Sequence, residues 1–346
     1  AAGSGVLAAA LVEAVVARQN RPVCIELLLC DIDAEMAPLL LRCADELKKH
    51  CVCHGVALDV HLQQGDFLLG RLALDGQGVI DAVIANPPYF KLGRTDPRAQ
   101  AHSTGVHGQP NIYALFMTAC AALLRPGGAL GFITPRSWTN GAYFRATREQ
   151  LRRKISIDAL HLFDSREAHF EGDAVLQEAL ITWGTAGVAQ GDISVSMSHG
   201  AHDLDAANAV THAATRILGP DASSPIVLPS PSRPDPLAHW TLRLTDLGLK
   251  VVTGPVVGFR AASQLRRQDS PTTVPMLWMP HVRRGSIEWP RNHSAEHIER
   301  NAESEWMLLP NEPMVLLRRF SPKEDVRRVT AAAYLGDLPG ECIGCE

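Results

Sequence analysis

The chain has 346 residues, 46% of them hydrophobic and 20% charged, with a formal net charge of −4. That balance supports a sizeable buried core, with a length that suits two domains, and excludes a disordered polyelectrolyte or a collagen-like repeat. It also excludes a uniformly basic nucleic-acid coat, and no apolar run is long enough to span a bilayer, so no membrane is expected.

In chain order, Ala1–Gly5 (AAGSG) reads as a glycine turn leading straight into a helix over 6–19. A strand over 24–33 (CIELLLCDID), a helix over 34–50 and a strand over 57–67 (ALDVHLQQGDF) follow. Residues 78–86 (GVIDAVIAN) form the next strand, and a polar, glycine-rich loop runs to about Pro110. The spacing in 111–125 is helical and 126–135 turns back into a strand. A helix around 142–154 and strands over 157–164 and 175–183 complete this half. Strands alternating with helices, and apolar almost without interruption, predict an α/β fold with a doubly wound, mostly parallel sheet. Residues 199–236 are rich in Ala, Ser, Pro, His and Asp, and 185–236 reads as a linker or irregular excursion. Beyond Pro236 come short strand-like pieces with many Trp, Pro and Arg, an irregular second domain over 237–346. Residues 234–330 hold 14 Lys and Arg against 11 Asp and Glu, with paired arginines at 266–267, 283–284, 318–319 and 327–328.

Eight cysteines are scattered through apolar segments, as buried thiols of a reducing compartment would be. Cys51-Val-Cys53-His54 and Cys342-Ile-Gly-Cys345 have zinc-like spacing, but neither has a matched partner, so no metal is expected.

Three strand ends carry chemistry of low specificity. Ala1–Gly5 brings backbone close to a ligand at a helix N-terminus. Asp31 stands some thirty residues on, where an acid accepts ribose hydroxyls in a nucleoside-binding unit; Asp33 suits the capping role better. Asp66, in GDF, offers a carboxylate to an adenine amine. The specific signal is Asn86-Pro87-Pro88-Tyr89. Two prolines lock φ, remove two N–H groups and forbid a helix, so the tip holds Asn86 and Tyr89 rigidly just past the strand. Two acceptors, the Asn86 side-chain oxygen and the Pro87 carbonyl, suit a conjugated exocyclic amine such as that of adenine. They favour a pyramidal nitrogen with its lone pair aimed at an electrophilic methyl. Tyr89 suits stacking on a base that has left its duplex.

AAGSG, CDID, GDF and NPPY, in this order and spacing, resemble the gamma-class N6-adenine DNA methyltransferases of type II restriction-modification systems. The likeness continues through 111–138 and through 164–183, where the family's second aromatic falls on Phe170, and into the target-recognition part after residue 236. It implies a Rossmann-like S-adenosylmethionine-dependent domain over 1–184 and a DNA-reading domain over 237–346. Ala1, Ala2, Gly3 and Gly5 would lie against the methionine end of S-adenosyl-L-methionine, Asp31 on its ribose and Asp66 on its adenine, with Asn86 beside its methyl. Asn86, Pro87, Tyr89 and Phe170 would act on the flipped adenine, the two aromatics facing each other across a slot about 7 Å wide, room for one base. The implied partners are double-stranded DNA and a cognate restriction endonuclease, in the cytoplasm of a bacterium and associated with the nucleoid. The family carries Asp-Pro and a central strand before AAGSG, with a cofactor-clasping segment further upstream, so a fragment is expected. NPPY also occurs in enzymes that methylate a protein glutamine amide. RNA adenine and a non-catalytic DNA-binding remnant are the other readings.

Overall fold

The computed structural model describes residues 1–70, 78–102, 110–163, 179–200, 203–204, 208–229, 240, 242, 244–291, 295–321 and 329–346. They divide into two compact units, 1–239 and 240–346.

The first unit opens with helix α1 (Val6–Val16), strand β1 (Cys24–Asp31), helix α2 (Ala37–Cys53) and strand β2 (Ala57–Gln64). β1 and β2 pair in parallel, from Cys24 opposite Ala57 to Asp31 opposite Gln64. Helix α1 buries Ala8, Val12 and Val16, and α2 buries Leu40, Ala44, Leu47 and Cys51, each set three or four residues apart on one face. With Leu27 and Leu29 of β1, most of these form one apolar cluster. Each Val or Leu side chain among them, fully buried, stabilises by roughly 1.5–3 kcal/mol.

Strand β3 (Ile80–Ala85) is followed by helices α3 (Pro97–Ala101) and α4 (Ile112–Leu123), strand β4 (Leu124–Pro135) and helix α5 (Arg145–Lys154). Strands β5 (Ile155–Phe163), β6 (Ala179–Ala186), β7 (Ile193–Ser198) and β8 (Ala209–His212) then complete a six-stranded sheet of order β3-β4-β6-β5-β7-β8. The α/β layering agrees with the sequence. The sheet is mixed: β3–β4 and β5–β7 are parallel, whereas β6 runs antiparallel to both its neighbours and β8 antiparallel to β7. Helix α4 is buried almost all round and sits at the centre of the larger core with Trp138, Leu151, Leu160 and Leu180.

Residues 185–236 are not a free linker where they are described. β7 and β8 extend the sheet, a short helix α6 (Ala214–Ile217) follows, and Ile217 and Ile226 are 1% and 2% exposed. The Ile226 amide donates to the Thr139 carbonyl (2.7 Å). The buried Arg148 of α5 donates to four carbonyls, those of Trp138 (3.0 Å), Gly141 (2.8 Å), Ser223 (3.1 Å) and Ser224 (3.0 Å). Arg152 of α5 adds bonds to the carbonyls of Gly219 (3.1 Å) and Asp221 (2.6 Å), so the segment is held by two isoleucines and two guanidiniums, which leaves no periodic apolar signature in its sequence.

In the second unit, β9 (Leu265–Arg266), β10 (Thr273–Leu277), β11 (His297–Glu299), β12 (Leu308–Pro310) and β15 (Cys342–Cys345) form a sheet of order β12-β15-β10-β11-β9, and β13 (Met314–Leu317) pairs with β14 (Ala331–Tyr334). His281 and Glu296 form a buried pair (2.8 Å). The Trp278 backbone amide donates to His281 Nδ1 (2.9 Å), so Nε2 carries the proton and donates to Glu296. On α2, Cys51 is buried and Cys53 exposed.

Candidate active site

The end of β1 gathers residues that are far apart in sequence. The Ala1 and Ala2 nitrogens donate to the Cys30 carbonyl (2.8 and 3.0 Å), and the Gly3 amide donates to Asp31 Oδ2 (2.7 Å). Asp31 Oδ1 accepts from the Asp33 amide (2.9 Å), and the Asp31 carbonyl accepts from Gly65 (2.8 Å), next to Asp66. Partial burial pushes the Asp31 carboxyl up, but the amides of Asp33 and Gly3 outweigh it and hold the group below its ordinary value. A carboxylate has about four lone-pair sites, so two donated bonds leave room for ribose hydroxyls. Gly5 has φ +90°, and a side-chain carbon there would meet Cys43 Sγ at 2.8 Å, so glycine is required. Gly3, at φ +55°, faces open space, as a turn that cradles a ligand must.

Asp66 closes β2 with a tight turn in which Oδ1 accepts from the Leu68 amide (2.8 Å). Phe67 stacks on Phe116 of α4 (5.0 Å between centroids), which seats the turn on the same core as Tyr89. Arg98 links the two regions. It donates to Asp96 through Nε and Nη2 (2.9 and 2.6 Å), approaches Asp66 Oδ2 at 3.7 Å and lies over the Phe90 ring at 5.7 Å. Sequence reasoning did not single it out; an arginine two residues after an aspartate at a helix start was the available signal.

At the end of β3, Asn86 is exposed and Pro87 buried. The chain beyond is pinned to the start of α4: the Ile112 amide donates to the Phe90 carbonyl (2.9 Å) and the Leu92 amide to the Pro110 carbonyl (2.8 Å). The Tyr89 hydroxyl turns back to lie within hydrogen-bond reach of the Asn86 side-chain amide and of the Ile133 carbonyl on β4 (3.0 Å). Tyr113 meets the Tyr89 ring edge-on (6.1 Å, 88°), and its own hydroxyl pairs with Ser137 (2.8 Å). Burial pushes the Tyr89 phenol well above its ordinary value, so it keeps its proton. Phe170, with the slot it was expected to complete, lies outside the described residues. Among the described residues no cluster of His, Cys, Asp and Glu could hold a metal ion.

An α/β unit whose strand ends carry a glycine turn, two acids and an Asn-Pro-Pro-Tyr tip is similar to the restriction-modification methylases. Residues 54–170 match the family described as Eco57I restriction-modification methylase. The chain is 33% identical over 266 residues to the type II methyltransferase M.BsuBI of Bacillus subtilis, covering 75% of this chain and 52% of that protein. It is 32% identical over 263 residues to M.PstI of Providencia stuartii, covering 74% and 52%. The chain thus spans about half the length of these curated relatives. Among solved structures it overlaps the methyltransferase subunit of a type I restriction-modification system from Streptococcus thermophilus (TM-score 0.40, 13% identity, 56% of this chain and 46% of that one). It also overlaps the M protein of the type I restriction enzyme EcoKI (TM-score 0.35, 16% identity, 49% and 35%).

Proposed function

We propose that the complete protein transfers a methyl group from S-adenosyl-L-methionine to the N6 amine of adenine in double-stranded DNA, as the modification half of a restriction-modification system with a cognate endonuclease. The observation that carries this reading is the Asn-Pro-Pro-Tyr tip, with an exposed amide on a braced, N–H-poor turn at a strand end. The type II methyltransferase relatives support the same reaction class. S-adenosylmethionine supplies an electrophilic methyl. Ala1–Gly5 would cradle its methionine end, Asp31 would accept from its ribose, and Asp66, braced by Arg98, would accept from its adenine.

Asn86 Oδ1 and the Pro87 carbonyl then accept the two N–H bonds of the target amine. Holding both out of the ring plane localises the nitrogen lone pair, which conjugation otherwise withdraws. A preorganised acceptor of this kind contributes a few kcal/mol to the transition state. Tyr89 and Phe170 are assigned the two faces of the extruded base, and residues 240–346 the reading of sequence. The test is mass spectrometry of nucleosides from duplex DNA incubated with the complete protein and S-adenosylmethionine. N6-methyladenine is expected; methylcytosine alone, or no methylated base, would sink the reading.

A further inference from the structure

The Tyr89 hydroxyl has one proton and two neighbours. Asn86 Oδ1 and the Ile133 carbonyl (3.0 Å) both lie where the hydroxyl can donate, and both can only accept, so one proton satisfies one of them and leaves the other unpaired. The phenol keeps its proton in its buried setting, and its oxygen can also accept. The unpaired acceptor then faces the phenolic oxygen with no proton between them. Exchanging the two ends of the amide takes only a half-turn about χ2, and the ends are nearly indistinguishable in shape. With Nδ2 turned to Tyr89 every group is satisfied: Asn86 N–H donates to the Tyr89 oxygen, and Tyr89 O–H donates to the Ile133 carbonyl.

We infer that the Tyr89 hydroxyl is a positioning group that fixes the rotamer of the Asn86 amide, so that Oδ1 points away from Tyr89 and stands free for the target amine. This rests on the function proposed above and deepens it. Tyr89 then acts twice, its ring on the base and its hydroxyl through Asn86. The chain of two bonds also polarises in one direction, each bond strengthening the next. The alternative, Tyr89 donating to Oδ1, fills the very acceptor that the reaction needs. The register supports the relay: Ala85 lies opposite Phe132 in the parallel pair, which brings Asn86, just past the end of β3, beside Ile133 of β4.

Two measurements on the complete protein separate the outcomes. In protein labelled with 15N-asparagine, nuclear Overhauser contacts are expected between the Asn86 Nδ2 protons and the Tyr89 ring protons next to the hydroxyl. They should vanish in Tyr89→Ala. If they are absent from the parent, the relay is overturned whether or not the protein is active. The second measurement is kinetic. Tyr89→Phe keeps the ring, so the DNA KM and the fluorescence rise of an extruded 2-aminopurine should match the parent, while kcat falls about tenfold or more. An unchanged kcat overturns the inference, as does a loss confined to KM or to base extrusion. A parent with no methylation activity would instead remove the proposed function, leaving the nuclear Overhauser result to decide the geometry.

Discussion

Asn86 owes its proposed role to its neighbours: the buried Pro87 fixes the backbone, and Tyr89, itself within reach of the Ile133 carbonyl, fixes the side chain. Replacing it with alanine removes an acceptor made useful only as the amine pyramidalises. Asn86→Ala is therefore expected to lower kcat by about a hundredfold or more, with dissociation constants for DNA and cofactor close to the parent's. Rapid-quench turnover with equilibrium binding checks the split. A second residue sets a pH dependence. His161 is 1% exposed between Ser196 (2.8 Å) and Ser198 (2.9 Å). Burial lowers its pKa, against a smaller opposing pull from Asp203. The folded chain thus binds fewer protons than the unfolded chain below the ordinary histidine pKa of about 6.5. Its contribution to stability is complete above that pH and declines as pH falls below it. Thermal unfolding from pH 8 to 5 should show this decline, and His161→Gln should flatten it. Parallel curves for the two proteins would place the titration elsewhere.

At the level of elements, Arg148 does what no strand pairing does. Its four carbonyl partners come from the turns after β4 and from the segment beyond α6. Hydrogen bonds to a charged group are worth about 1.5–3 kcal/mol each, although their removal is not additive. Arg148→Ala should therefore destabilise the first unit by about 3 kcal/mol or more. Arg148→Lys should recover little of this, because one ammonium cannot reproduce a planar fork. Urea unfolding measures both. The same element shows what could be read in advance. The apolar runs of β1, β3, β4 and β5 announced their strands, and the alternation of strand and helix announced the layers. The position of Asn86 and Tyr89 just past a strand end was legible because two adjacent prolines forbid a helix there. Spacing put Asp31 some thirty residues after the glycine turn but did not foretell the direct Gly3–Asp31 bond. Residues 193–228 were opaque: β7 alternates Ile and Val with Ser, and β8 is four residues long. The clamp on the remainder is a buried arginine, a residue type that pattern reading assigns to solvent. Arg98 was missed for a related reason, since its aspartate partners are distributed over two turns.

For the whole molecule, the paired arginines of the second unit separate into two kinds. Arg266 is ion-paired with Glu299, Arg283 donates to Glu288 (3.0 Å), and Arg318 donates to the Val282 carbonyl (2.8 Å). Their successors Arg267, Arg284 and Arg319 are exposed, Arg319 lying over Phe320, while Arg327 and Arg328 fall outside the described residues. If this unit reads DNA as proposed, the second member of each pair makes the contact and the first holds the fold. Single alanine variants at 267, 284 and 319 should weaken binding. A phosphate contact lowers the salt slope by about one for every sequence, and a base contact relaxes the preferred sequence. Fluorescence anisotropy on specific and random duplexes across salt distinguishes these. Binding unchanged in all three variants would take the reading role away from this unit.

The clamp also fixes where such proteins can be recombined. An exchange of target preference between relatives needs a junction that cuts no shared core. Composition alone advises splicing near residue 199, where the polar, proline-rich stretch begins. A chimera joined there inherits a foreign 217–226 and leaves Arg148 facing carbonyls that no longer match. Joined after Leu228, it keeps the guanidinium, both isoleucines and the sixth strand together. The later junction should yield soluble protein with a parent-like melting transition, and the earlier one should aggregate on expression. The seam of the molecule, between residues 239 and 240, lies some forty residues beyond the point at which its composition changes.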